Sequence, residues 1–149
     1  MDILSEKLEI KIKYHADIDP LKQIKIGDAI DVRAAEDIDL KFMECKKVSL
    51  GFSCKLPEGY LAILSARSSL FDNHGVILTN GIGIIDHTYC GDNDIWKMQL
   101  VALKNDVHIN KNERIGQFLL VKRNPEINMV EVDTLGEPDR GGYGSSGRF

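Results

Sequence analysis

Apolar and polar residues alternate with a period of two along much of the chain. In Leu8-Glu9-Ile10-Lys11-Ile12-Lys13-Tyr14 every second residue is charged, the pattern of a strand with one buried and one solvated face. The same beat returns in Ile38–Phe42 and in Val48–Cys54. More uniformly apolar short runs follow at Tyr60–Leu64, Val76–Leu78, Ile82–Ile85, Met98–Leu103, Phe118–Val121 and Met129–Val132, and runs of this length between turn signals predict buried strands. Turn chemistry separates them at Pro57-Glu58-Gly59, Asp72-Asn73-His74-Gly75, Gly91-Asp92-Asn93-Asp94 and Lys104-Asn105-Asp106. One short helix is predicted, over Arg67 to Asp72, with Gly75 as its stop. Many short strands and almost no helix predict an all-β sandwich, jelly roll or distorted barrel.

Composition narrows the class of protein. The 149 residues suit one domain, and 43% hydrophobic with 28% charged residues is ordinary globular material. A net charge of −4 argues against a general nucleic-acid binder, whose phosphate contacts call for a basic surface. Any phosphate must therefore be held by a few placed groups. Cys45, Cys54 and Cys90 are odd in number and lack C-x-x-C spacing, so they read as idle thiols in a reducing compartment, with neither a disulfide set nor a zinc site. No apolar run reaches the length of a membrane span, and Met1–Lys7 has no signal-peptide core. The expectation is a soluble, cytoplasmic protein without a membrane partner. From Gly136 the composition turns Gly- and Ser-rich, with four of the thirteen glycines in Gly141–Gly147. The chain thus divides into a domain over 1–135 and a flexible tail over 136–149. The tail has no Walker-type Lys and no following helix, so it is not a P-loop.

Four other stretches interrupt the strand pattern with chemistry. Asp31 sits among apolar neighbours in Ala29-Ile30-Asp31-Val32-Arg33, either as a solvated strand position or as a carboxylate that holds the waters of a bound cation. Ala66-Arg67-Ser68-Ser69 opens the predicted helix, where Ser is a common cap and where Arg with two hydroxyls also makes an oxyanion cradle. In Asn80-Gly81-Ile82-Gly83-Ile84-Ile85-Asp86-His87-Thr88-Tyr89, two glycines weaken an apolar strand, which a bulge or the close approach of a ligand explains. Asp86 is a ready base there, tuned by partial burial. His87 should face away from it, because adjacent strand residues alternate. In Asn112-Glu113-Arg114-Ile115-Gly116-Gln117, Arg114 and Gln117 reach phosphates or pair on the surface.

In this order, these stretches and the tail resemble the five motifs of the trimeric dUTPases, over about Gly27 to Gly147. The most specific matches are Gly83-Ile84-Ile85-Asp86 with Tyr89 and Gly91, then Glu113-Arg114-Ile115 with Gln117, then Arg140-Gly141-Gly142-Tyr143-Gly144-Ser145-Ser146-Gly147. The spelling of Asp31–Asp37 and the compact tail are most similar to dUTPases of phages and prophages of Gram-positive bacteria.

That resemblance implies a jelly-roll-like distorted β-barrel in a homotrimer that hydrolyses dUTP to dUMP and diphosphate, keeping uracil out of DNA and supplying dUMP for dTMP synthesis. It implies Mg²⁺ across the triphosphate, held through water by Asp31. By the same resemblance Asp86 activates the water that attacks the α-phosphorus. Arg67, Ser68, Ser69 and Gln117 bind phosphates, Asn80 and the backbone at Gly83 read uracil, and Tyr89 packs on the deoxyribose. The tail becomes an arm that closes over the nucleotide, contributing Arg140, Tyr143, Gly144, Ser145 and Ser146. Asp31, Arg67, Ser68 and Gln117 would come from one chain, Asp86 and Tyr89 from a second, and the arm from a third. The chain departs from the family pattern in Ala66 for Pro, Ser69 for Gly, His87-Thr88 for Ser-Asp, and a shorter tail with Tyr143 for a stacking Phe. The ring over the base is thus Tyr143, Trp96 or Phe149, and His74 and His87 have no assigned role. The alternatives are a dCTP deaminase-like enzyme, disfavoured by Asp86 and Tyr89, and a phage regulatory protein that acts by binding a partner protein.

Overall fold

The computed structural model describes residues 7–149; the reading of a leader-free start falls largely on residues 1–6, outside them. Eleven strands and one short helix make up the regular structure of the described residues. A four-stranded sheet runs in the order β2 (Ile30–Arg33), β11 (Arg114–Lys122), β6 (Tyr60–Ala66), β8 (Gly83–Ile85). A three-stranded sheet runs β4 (Cys45–Ser49), β9 (Lys97–Ala102), β7 (Val76–Leu78). Two pairs complete the fold, β1 (Lys11–Tyr14) with β5 (Phe52–Lys55) and β3 (Ile38–Leu40) with β10 (Val107–Ile109). All of these pairings are antiparallel. The all-β, distorted-barrel expectation is met.

The predicted runs become strands with small shifts, and three differ for physical reasons. Val48–Cys54 is two strands, β4 and β5, because Gly51 turns between them at φ +74°, where a side chain would meet the Cβ atoms of Ala16 and Ala35 at 3.0 Å. The helix, α1 (Leu70–His74), starts later than predicted and ends on Gly75, whose left-handed φ of 66° lets its N–H donate to Phe71 O. Met129–Val132 forms no strand. Met129 and Val132 are exposed, and a single chain offers that segment no edge to pair with. The chain leaves the barrel after Lys122, where Arg123 N–H still donates to Gly59 O at 2.9 Å, and everything beyond is exposed and free of helix and strand.

The core centres on Trp96, whose ring packs against Phe52 at 5.0 Å and Phe118 at 5.1 Å between centroids. Val32, Leu64, Met98, Leu100 and Ile115 close around it from the two large sheets. These inward residues commit their neighbours to the outer face. Asp31, Gln117 and Ser65 form one cross-strand row there, and Leu119, Ile63 and Ile84 form a parallel apolar row. The alternation breaks once, between Arg114 and Gly116, where β11 gains one residue against β2. Ile115 and Gly116 are therefore both buried, and this bulge turns Arg114 outward.

Gly116 is what lets the bulge sit against the core. A Cβ there would lie 2.6 Å from Met98 Sδ and 2.9 Å from Val32 Cγ2. Gly116→Val should therefore cost about 1–3 kcal/mol of stability by overpacking, read as a lower denaturation midpoint at fixed protein concentration.

Candidate active site

Two clusters gather the residues singled out by sequence. The first is built on the outer face of the large sheet. Asp31 on β2 places Oδ1 3.4 Å from Arg67 Nε and Oδ2 3.2 Å from Arg114 Nη1. Gln117 lies between Asp31 and Ser65 in register. Beside them a cleft of ≈ 490 Å³ is lined by Arg33, Arg67, Arg114, His74, Glu113 and their neighbours. His74 Nε2 and Glu113 Oε2 stand 2.5 Å apart at its wall, and Arg33 Nη1 donates to Asn112 O at 2.7 Å. Two guanidiniums around one carboxylate, with Arg33 in the adjoining cleft paired to Asp19, make a site for a multiply charged anion. Ser68 and Ser69 begin the turn into α1, and the Ser69 side chain makes no capping bond, so the capping reading does not hold.

The second cluster is a cleft of ≈ 540 Å³ between β8 and the three-stranded sheet, which brings together Asn80, Gly83, Asp86 and Tyr89. Tyr89 is fixed by its hydroxyl, which donates to Ile95 O at 2.9 Å. Gly81 needs its left-handed φ of +72° for the turn, whereas a Cβ at Gly83 would make only ordinary contact, 3.6 Å from Leu64 Cβ. Packing alone thus leaves the bare backbone at Gly83 unexplained. Lys47, Lys97, Gln99 and Trp96 also line this cleft. Sequence reasoning weighed only Trp96 among these. Alternation places Lys97 and Gln99 on one face of β9, but Lys47 joins them through register alone.

One expectation about Asp86 is corrected. Its side chain is 68% exposed, and the desolvation it feels, which raises its carboxyl, is outweighed by hydrogen bonds that lower it. The Thr88 N–H, and then the His87 imidazole, hold its carboxyl below the ordinary carboxylate value. His87 lines a separate cleft with Lys55, Pro57 and Arg123, not the one that Asp86 lines, so it faces away from that cleft as expected, though not by strand alternation. β8 ends at Ile85, so strand alternation no longer applies, and His87 Nδ1 sits 2.9 Å from Asp86 Oδ1. Trp96 is fully buried between Phe52 and Phe118, so it cannot be the ring that lies over a base. Cys54 is buried and its thiol is pushed up to about 12 by burial and by Cys90, which makes it inert at neutral pH.

The clusters do not meet within one chain. From Asp31 to Ile85 at the end of β8 the path crosses three strand spacings and three residues of register, roughly 14 Å by 10 Å, or about 17 Å on the sheet. The tail residues Arg140, Tyr143, Gly144, Ser145 and Ser146 are exposed and touch neither cluster; two turns shape them, Ser145 N–H to Gly142 O and Gly147 N–H to Gly144 O. Among the described residues no group of three or more His, Cys, Asp or Glu converges on a cation position. One carboxylate beside an anion cradle instead fits a hard cation that brings phosphate oxygens and water as its other ligands. No helix of the described residues is long and apolar enough to cross a membrane.

Comparison with known proteins identifies relatives of this arrangement. Residues 19–147 match the family model described as dUTPase. The chain is 48% identical over 141 residues to the SPbeta prophage-derived deoxyuridine 5'-triphosphate nucleotidohydrolase YosS of Bacillus subtilis, covering 94% of this chain and 99% of the relative. It is 36% identical over 149 residues to the deoxyuridine 5'-triphosphate nucleotidohydrolase of Fusobacterium nucleatum, covering 96% and 99%. Among solved structures, a mutant dUTPase of Staphylococcus bacteriophage 80alpha with dUpNHpp superposes with a TM-score of 0.76 at 20% identity, over 94% of this chain and 99% of that one. A mutant dUTPase from phage phi11 of S. aureus, described for the coordination of a structural Mg(II) ion, has a TM-score of 0.71 at 17% identity, over 84% and 98%.

The contacts at Asp86 set a pH dependence. Its carboxylate stays ionised until the pH falls below the ordinary range near 3.9, so a reaction that uses it as the base has its acid limb below that range. His87→Ala removes one of the groups that lower it, and the acid limb should move to higher pH without a change in unfolding midpoint at neutral pH, as read from kcat–pH profiles and thermal melts.

Proposed function

The chain belongs to the dUTPase family, and from that membership we propose that it hydrolyses dUTP to dUMP and diphosphate at sites built from three chains. The observation that carries the reading is Asp86, an exposed carboxylate held ionised by Thr88 and His87 at the rim of a cleft with Asn80, Gly83 and Tyr89. A water bound to it loses a proton to the carboxylate as its oxygen forms a bond to the α-phosphorus. The bridging bond from that phosphorus to the β-phosphate oxygen breaks in line, and diphosphate leaves with the electron pair. Arg67, Ser68, Ser69 and Gln117 stabilise the charge that builds on the leaving group, joined by Arg140, Gly144, Ser145 and Ser146 of the arm. Asp31 would hold a Mg²⁺ ion through water, and the ion would supply neutralisation of the triphosphate. Arg67 and Arg114 then exchange Asp31 for phosphate oxygens. Uracil meets the backbone at Gly83 and the Asn80 amide, while Tyr89 covers the deoxyribose. Tyr143 or Phe149 is the ring that remains for the base.

The homotrimer is supported by surfaces that one chain leaves bare. Ile84 is 68% exposed and Leu119 46%, both on the outer face of the large sheet beside the Asp31 row. Ile127, Met129, Val130 and Leu135 are exposed on the extended segment after β11. Apolar surface of this extent is normally covered by a partner, and pairing with a neighbour satisfies a strand that has no edge of its own. The arm, proposed as residues 136–149, then closes over a site on another chain, at an entropic cost that the full triphosphate offsets. No observation favours a regulatory partner protein over catalysis.

Asp86→Asn should leave trimer size and dUTP binding unchanged and lower kcat by orders of magnitude, and near-normal turnover would refute the mechanism. Unfolding and reassembling equal amounts of Asp86→Asn and Arg67→Ala chains should restore about a quarter of wild-type activity by random reassortment if each site draws these residues from different chains. Sites contained within one chain would restore none.

A further inference from the structure

His74 and Glu113 share the wall of the cleft that Arg33, Arg67 and Arg114 line, and neither takes part in the proposed reaction. A carboxylate in an anion cleft works against it, because it repels phosphates and competes with them for the guanidiniums. Glu113 nonetheless pairs with none of the three arginines. Among the described residues its one ion-pair partner is His74, with Oε2 2.5 Å from Nε2. We propose that His74 is a positioning residue, which clasps the Glu113 carboxylate and so keeps Arg67 and Arg114 open to the phosphates of the nucleotide. The inference rests on the reading of this cleft as the triphosphate site.

Both ends of the clasp are fixed by main chain. His74 is the last residue of α1, and Gly75 after it is bonded on both sides: its N–H donates to Phe71 O at 2.7 Å, and its carbonyl accepts from Leu103 N–H at 2.9 Å. Leu70, buried, anchors the same helix. Glu113 O accepts from Ala34 N–H at 2.9 Å, and Glu113 N–H donates to Asn110 O at 3.1 Å. An ionised carboxylate only accepts, so Nε2 of His74 carries the proton and donates it to the bond. The two side chains are 20% and 33% exposed, which shields the bond from competing water. The short segment 67–74 thus carries a phosphate-binding cation at its start and the clasp at its end. Asp31 already occupies both guanidiniums and exchanges them for phosphate oxygens when nucleotide enters. Without His74, Glu113 would be a second carboxylate beside them with no other partner.

The test is a mutant cycle on the full-length protein. Wild type, His74→Ala, His74→Asn, whose amide ends short of the Nε2 position, and His74→Ala combined with Glu113→Gln are titrated with dUpNHpp and with dUMP. Their unfolding temperatures are measured alongside. The expected result is a dUpNHpp Kd about 10-fold weaker in both single variants, the lower end of what a hydrogen bond to a charged group is worth, because the cleft is open to water. The dUMP Kd is unchanged, since that ligand has no β- or γ-phosphate. The double variant binds dUpNHpp about as well as wild type, because an uncharged amide does not compete for the guanidiniums. Unchanged dUpNHpp affinity in the single variants overturns the inference while leaving the triphosphate reading intact. A double variant as weak as the singles, or single variants too unstable to bind either ligand, marks His74 as a structural residue and overturns it as well. Equal weakening of dUMP places the effect outside the phosphate cleft, with the same consequence. Wild type that binds dUpNHpp no more tightly than dUMP overturns the triphosphate reading and the inference with it.

Discussion

Strand β11 is hydrogen-bonded on both sides, to β2 and to β6, and its alternation assigns roles across the whole sheet. Ile115 and Phe118 point into the core. Gln117, Leu119 and Val121 are left for the outer face, each opposite an outward residue of β6. Shifting this strand by one residue would bury Gln117 and expose Phe118, so the core's demand for Phe118 fixes where the phosphate-binding row can be. The bulge at Gly116 is the one place where that constraint is relaxed. It lets Ile115 and Gly116 both face inward and sends Arg114 out to Asp31.

The same sheet keeps its two chemical groups apart. The Arg–Asp–Arg cluster lies at one corner and Asp86 follows β8 on the opposite edge, too far apart for one bound triphosphate to span. Association resolves this geometry, and the apolar row of Leu119, Ile63 and Ile84 provides hydrophobic surface to drive it. Asp31 bridges the two guanidiniums it touches and offsets one of their two charges. The cradle is thereby preformed without leaving like charges unscreened against each other.

Much of this was legible in the residues, though unevenly. Val76–Leu78 was readable from hydrophobic pattern and turn signals alone, because a short apolar run between turn signals has few other stable conformations. Asp86, Asn80 and Tyr89 could be grouped because they follow one another along a single hairpin. Arg114 was weighed as a phosphate group, but its place beside Asp31 depends on a bulge with no sequence signature beyond a small residue at position 116. The contact of His87 with the Asp86 carboxylate was not legible, because β8 stops one residue before Asp86 and element ends are decided by pairing partners. Trp96 read as a candidate stacking ring; the close packing of Phe52 and Phe118 against it removes that role.

The sequence by itself determined the kind of fold and the inventory of chemistry. Period-two alternation allows only sheet, and Asp31, Arg67, Asp86, Gln117 and the glycine-rich tail are ordered as the dUTPase family orders them. Tertiary structure decided which of those groups share a cleft, that Arg114 points out beside Asp31, and that the Asp31 and Asp86 clusters lie apart on the sheet. The reason is that strand pairing joins residues distant in sequence, such as Asp31 with Gln117 and Lys47 with Gln99. Register, bulges and strand ends are settled by the packing of the core and leave little trace in local composition.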